Sequence, residues 1–431
     1  MNQPKTIDVL TLGFALFAMF FGAGNLILPP YIGLQSTSEW IWATIGFAIS
    51  GILAPFLGLY VVTQNGMSFS DLSHRTAPWI VTILTFIIMW SIGPIIAIPR
   101  TGATTYEMAL LTFFPSMSPW VGSLLFFAIT LALSISPSKI VDIIGQYLTP
   151  LLILLLLVLV FLGVFFPIAD SSSIPLDAVK SFQFGFDEGY QTLDVLASVV
   201  FAGIIIAAAH NKGYITTQLR SQIVLKSGVV AVILLFLIYG GLIFIGAHSG
   251  HEPMTAISRT ELLLDISNTI LGSFGRYGLS IAIALACLTT AIALTTAFAM
   301  FMQQLTKGFL SYKVNVVICT LIAIVFSVKG VDEIIKYAGT LLHFVYPITF
   351  TLIVYLWIFG KKVHFKTPFI AAIFTTTVMS LIVLLRNNSE FLNKKWVGYE
   401  LLPLYHHHLE WLLPSFIAFV LSYFIYKKQE N

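Results

Sequence analysis

The chain has 431 residues, 58% of them hydrophobic and only 10% charged, with a mean hydropathy of +0.92. A soluble domain carries about 25% charged residues to cover its surface, so a water-soluble fold is excluded. The net charge of +3 is small, and the basic residues form no stripe, which argues against nucleic acid as a partner.

Apolar runs too long for buried strands recur along the whole chain, each close to the ~20 residues that one membrane-spanning helix needs. They predict an all-α polytopic membrane protein with about twelve spans, at roughly 7–32, 40–63, 78–105, 119–136, 147–166, 190–209, 223–247, 271–302, 314–330, 337–359, 368–386 and 409–426. A short amphipathic piece over 331–342 is expected ahead of the tenth span. The first run has only Lys5 before it and no small-residue cleavage site after it, so it is expected to stay in the mature chain. With the N-terminus inside, the inner segments hold 13 of the 22 basic residues and four acids. That asymmetry is what the positive-inside rule requires, and an even number of spans puts both termini in the cytoplasm. The longest outer segments, 167–189, 248–270 and 387–408, are expected to hold short surface helices over the bundle.

In the first span, Phe20-Phe21-Gly22-Ala23-Gly24-Asn25 precedes Pro29-Pro30. Glycine costs about 1 kcal/mol against alanine in a helix interior, and a buried asparagine needs a hydrogen-bond partner. A small-residue packing face is one reading. The other is an unwound break between two half-helices. The carbonyls of Ala18 and Phe21 then lose the N–H groups of Gly22 and Asn25 and suit a cation, while the N–H groups of Gly22, Ala23, Gly24 and Asn25 suit a carboxylate. A zwitterionic amino acid and a Na+ ion match that pair of charges. Irregular backbone at membrane depth is tolerated where it lines a cavity or is buried in protein.

Further along, Pro94 and Pro99 are expected to kink the third span. Arg100 reads first as a cation snorkelling to the outer interface, and alternatively as an outer gate paired with Glu107 or Asp194. The sixth span opens Gly189-Tyr190-Gln191-Thr192-Leu193-Asp194 and carries Phe201. Asp194 is either a helix cap or a partner for a substrate amine or coupling cation, with Thr192, Leu193 and Phe201 beside it. In the eighth span, the hydroxyls of Thr289 and Thr290 either bond back to their own helix or join the carbonyls of Ala18, Phe21 and Ala286 as five oxygen ligands for Na+. His343 reads as a packing residue before a proton relay, and His406-His407-His408 as a loop run with no other metal ligands. Cys287 and Cys319 fall inside apolar runs and read as small hydrophobes. No metalloprotease, nucleophile-elbow, phosphate-loop or CxxC motif is present in the sequence.

The run from Phe21 to Pro30 resembles the first-helix signature of the bacterial branched-chain amino acid:cation symporters, the LIVCS family. So do Gly93-Pro94 through Thr101, Tyr106-Glu107, Gly189 to Asp194 and Leu288 to Ala291. The resemblance implies import of leucine, isoleucine and valine across the bacterial cytoplasmic membrane, driven by Na+ or, alternatively, H+ through Asp194, Glu107 or His343. It also implies a LeuT-type fold: inverted repeats over 1–170 and 171–360, with two extra helices in 361–431. In that fold Gly22–Asn25 matches the carboxylate-binding break, and Ala18, Phe21, Ala286, Thr289 and Thr290 match a cation site. Thr192–Asp194 aligns with the break of the sixth helix, and Asn25 is a candidate ligand for a second cation. The partners expected are the small-molecule substrate and the lipid bilayer, with no protein partner. A non-transporting amino-acid sensor is the reading from another class.

Overall fold

The computed structural model describes residues 4–22, 25–66, 69–135, 139–170, 176–253, 257–387, 403–404 and 409–430. Among these residues every regular element is helical. They are α1 (Thr6–Phe20), α2 (Leu28–Ser36), α3 (Trp40–Phe47), α4 (Ala54–Asn65), α5 (Pro78–Trp90), α6 (Ala97–Thr105), α7 (Leu111–Phe113), α8 (Pro119–Ile135) and α9 (Lys139–Phe165). After them come α10 (Ala178–Tyr190), α11 (Asp194–Asn211), α12 (Thr217–Ala247), α13 (Arg259–Leu305), α14 (Tyr312–Ser327), α15 (Val331–Phe359), α16 (Thr367–Asn387) and α17 (Leu412–Glu430). Seven helical stretches are long and apolar enough to cross a membrane, and shorter apolar helices such as α1, α8 and α14 accompany them. The exposed apolar side chains, among them Trp79, Trp120, Phe161 and Leu237, lie on outer faces where acyl chains replace water.

Irregularities sit where the sequence cannot continue a helix. α3 passes into α4 through a π-helical turn, Ala48–Leu53. α5 and α6 meet at a bend where Gly93 takes φ −87° and ψ −121° beside Pro94, as the two prolines predict. α13 turns at Gly272, whose φ of 68° only glycine adopts freely. That turn divides an outer stretch from the part crossing the bundle, so the expected surface helix of 248–270 is the start of α13. The amphipathic piece expected ahead of the tenth span is likewise continuous with it, as the first turns of α15. His406–His408 lie outside the described residues.

The two interrupted helices are held by backbone-to-backbone crossings. α2 crosses α12, where a Cβ at Gly33 would come within 1.9 Å of the Ile243 carbonyl and one at Gly246 within 2.0 Å of the Pro30 carbonyl. α10 crosses α3 in the same way, with a Cβ at Gly185 falling 2.0 Å from the Ala43 carbonyl. Small residues allow such approach where apolar burial gives no drive between helices. Gly246→Ala is therefore expected to lower the melting temperature in detergent, because a backbone carbonyl cannot yield and overpacking costs about 1–3 kcal/mol. Gly240→Ala on the same helix meets only Thr44 Cγ2, at 3.6 Å, and should melt at or above the parent temperature. Equal shifts for the two variants would contradict the packing account.

Candidate functional site

The first break lies between α1 and α2. The N–H of Gly22 donates to the Phe20 carbonyl at 2.9 Å, and that of Asn25 to the Gly22 carbonyl at 2.8 Å. Neither reaches the carbonyl a continuous helix would assign it, those of Ala18 and Phe21. The helix is thus interrupted where the glycines predict. Ala23 and Gly24 lie outside the described residues. The Phe21 ring stacks on Phe17 at 4.7 Å and on Tyr239 at 5.8 Å, which anchors the end of α1.

The second break lies between α10 and α11, and its position corrects the sequence reading. Hydropathy begins the sixth span at residue 190, but 190 is the end of a preceding half-helix, α10. Gln191, Thr192 and Leu193 form the interruption, with Leu193 at φ 63° and ψ 5°, a left-handed conformation unusual for a leucine. The Thr192 hydroxyl donates to the Gly189 carbonyl at 2.9 Å and accepts from the Asp194 N–H at 3.3 Å. Ser50, in the π-helical turn, donates to the Phe186 carbonyl at 2.7 Å and so ties the end of α10 to that turn.

The two breaks meet through side chains. Asn25 Nδ2 donates to both carboxylate oxygens of Asp194, each at 3.1 Å, and to the Phe20 carbonyl at 3.4 Å. Arg100, on α6, donates through Nη2 to Asn25 Oδ1 at 3.1 Å and through Nη1 to the Gln191 carbonyl. Arg100 and Asn25 are 3% exposed and Asp194 is 5% exposed. Arg100 therefore does not snorkel to the interface. The bend at Gly93 turns it inward, and one asparagine separates it from its counter-charge. Glu107 is not its partner either, since that carboxylate accepts from the Thr260 hydroxyl at 2.7 Å and the Val331 N–H at 2.8 Å.

A cavity of about 50 Å³ adjoins this triad, lined among others by Gly22, Asn25, Arg100, Thr192, Leu193, Asp194, Phe201 and Thr290. It brings together the candidates on the first, sixth and eighth spans. Ala18, Phe21, Ala286 and Thr289 are not among its lining residues, and the Thr289 hydroxyl donates to the Ala286 carbonyl of its own helix at 3.0 Å. Within α15, His343 Nδ1 lies 2.6 Å from the Gly339 carbonyl, as a packing histidine would.

Above the cavity is a polar layer that the sequence reading missed. Arg259 at the start of α13 pairs with Glu188 of α10 at 2.8 Å and with Asp332 of α15 at 2.7 Å. Its guanidinium lies 4.1 Å from the centre of the Tyr31 ring on α2. The available signal was Ser258-Arg259-Thr260-Glu261, a capping-box spacing that announces a helix start; the Ser258 side chain does accept from the Glu261 N–H. At the start of α1, Asp8 accepts from Lys212 Nζ and from the Tyr214 hydroxyl, both at 2.8 Å.

Two solved transporters share this architecture. The inward-facing conformation of Mhp1 superposes with a TM-score of 0.63 at 10% identity, covering 98% of this chain and 91% of that one. MhsT in complex with L-phenylalanine superposes with a TM-score of 0.55 at 17% identity, covering 96% and 98%. Two broken helices crossing at the centre of a helical bundle define a LeuT-type membrane transporter, not an enzyme. The chain belongs to the family of branched-chain amino acid transport proteins, whose profile matches residues 5–429. It is 33% identical over 430 residues to the branched-chain amino acid permease BraB of Bacillus subtilis (strain 168), covering 96% of this chain and 95% of the permease.

Proposed function

We propose that the chain is a secondary symporter that imports leucine, isoleucine and valine with Na+ by alternating access. The observation that carries this reading is the meeting of two helix breaks at Asn25 and Asp194. A break offers peptide N–H groups to a carboxylate and peptide carbonyls to a cation. The peptide N–H groups of Gly22, Ala23, Gly24 and Asn25 hold the substrate carboxylate end. Thr192, Leu193 and Asp194 hold the ammonium end, and Phe201 borders the apolar side chain. Na+ is held by the Ala18, Phe21 and Ala286 carbonyls and by the Thr289 and Thr290 hydroxyls. A Thr289 hydroxyl that gives its proton to Ala286 keeps its lone pairs for a cation. All five ligands are neutral oxygens, and no cluster of three or more His, Cys, Asp or Glu residues occurs among the described residues. Such a set suits a hard monovalent ion. The seven long helices and the shorter apolar ones make twelve crossings of the bacterial cytoplasmic membrane, with both termini inside. Residues 1–170 and 171–360 form the two inverted repeats.

Uptake of labelled leucine into proteoliposomes tests this. An inward Na+ gradient at fixed pH should stimulate accumulation. Uptake that follows pH and ignores Na+ would shift the coupling to protons, and saturable binding without accumulation would point to a sensor. Thr289→Ala with Thr290→Ala should raise the Na+ concentration for half-maximal leucine binding by about tenfold or more, the equivalent of ~1.4 kcal/mol. An unchanged Na+ dependence removes both hydroxyls from the site.

A further inference from the structure

We propose that Arg100 is the receptor for the substrate's α-carboxylate, and that the side-chain amide of Asn25 stands in for the amino acid head group while the site is empty. This rests on the reading of the chain as an amino acid transporter and adds a residue to it. A buried guanidinium carries five donors in a fork shaped for a carboxylate. Arg100 spends its bonds on two neutral oxygens, the Gln191 carbonyl and Asn25 Oδ1. No carboxylate lies within ion-pair distance of it among the described residues. Asp194 in turn receives both bonds from Asn25 Nδ2 rather than from a cation. Two opposite charges are thus buried with one amide between them.

The orientation of that amide is fixed by its neighbours. Its acceptor faces the guanidinium and its donor faces the carboxylate. An α-amino acid placed there presents the same polarity at full charge: carboxylate toward Arg100, ammonium toward Asp194. The sequence of charges then alternates from the scaffold residue on α6 to the start of α11, with none left unpaired. Each bond from Arg100 and to Asp194 then joins two opposite charges instead of one charge and a neutral amide.

Space supports exchange rather than addition. The adjoining cavity of about 50 Å³ has room for a few waters, less than a leucine with its side chain occupies. The amide must therefore leave when the head group arrives. Asn25 can do so because it closes the glycine-containing break, where its N–H is held only by the Gly22 carbonyl in a short turn.

The test measures binding of three probes to the purified full chain: leucine, leucinamide, which lacks the carboxylate charge, and 4-methylpentanoate, which lacks the ammonium. The parent chain should prefer leucine over leucinamide by about 100-fold, the cost of breaking a buried charge pair. Arg100→Gln should bring leucine down to the level of leucinamide while leaving leucinamide within about threefold, which also reports that the variant is folded. Arg100→Lys should recover part of the preference, since lysine supplies the charge without the fork. Asn25→Ala removes only the side-chain amide and should keep the parent's leucine to leucinamide ratio, because the carboxylate is read by the Arg100 fork and not by that amide. A leucine to leucinamide ratio that Arg100→Gln leaves unchanged overturns the proposal. So does a parent chain that binds the two equally, or an Asn25→Ala variant whose leucine to leucinamide ratio falls to that of Arg100→Gln. A parent chain that binds none of the three probes, nor isoleucine or valine, contradicts the transport reading instead.

Discussion

Asp194→Asn is expected to lower Na+-driven leucine accumulation in proteoliposomes by about 100-fold or more. Two effects act together. In the proposed binding mode the substrate ammonium loses the one acid that meets both breaks among the described residues, a buried charged partner whose removal costs about 2–5 kcal/mol. Arg100, 3% exposed, also loses its nearest counter-charge, and an uncompensated buried charge destabilises by about 3–5 kcal/mol. The variant should therefore also melt at a lower temperature. Asp194→Glu separates the two effects: it keeps the charge and should restore the melting temperature, while a longer side chain in a 50 Å³ cavity should leave uptake poor. Parent-like uptake by Asp194→Asn would remove the residue from the substrate site.

The second large effect is expected at Arg259. Its guanidinium is the knot of the outer layer, tying α10, α15 and α2 through Glu188, Asp332 and the Tyr31 ring. Arg259→Gln leaves those two acids near each other without a cation, so that closing the outer side now brings like charges together. The conformational equilibrium should shift toward an open outer side. A cysteine at Thr101, which lines the central cavity, reports this in a background lacking Cys287 and Cys319. A membrane-impermeant thiol reagent added outside should modify it about tenfold faster in Arg259→Gln, a shift of ~1.4 kcal/mol between closed and open states. Equal rates would mean that the layer is a surface ornament rather than a latch. Leucine uptake should fall at the same time, since a gate that does not close cannot alternate.

Much of this architecture is written in the order of residues, and the exceptions share one cause. The first break is legible because Gly22, Gly24 and Asn25 interrupt a run that faces lipid at its other end. α10 is not legible as half of a span: Lys180, Asp187 and Glu188 give it the composition of a surface helix, yet it packs against α3 inside the protein. Hydropathy measures what a segment would meet in lipid, and a half-helix enclosed by other helices never meets lipid. Arg100 was misplaced for the same reason. Its distance along the chain from the end of the apolar run suggested the interface, whereas the bend at Gly93 sets its direction. At Thr289 the sequence left the direction of the hydroxyl proton open, and the backbone carbonyl three residues earlier receives it. The Arg259 layer joins residues 31, 188, 259 and 332, a coincidence in space that no local pattern records.

The glycine crossings bear on how the machine can flex. Where α2 meets α12 and α10 meets α3, peptide planes touch directly, with no side chain between them to change rotamer and absorb a displacement. Contacts of that kind are stiff, so the outer arm of each broken helix must travel together with its neighbour as a single lever. Compliance is then concentrated in the few peptide units at the two interruptions. Those same units are the ones proposed to read cargo, which would place the elbow of the mechanism and its sense of touch in one location.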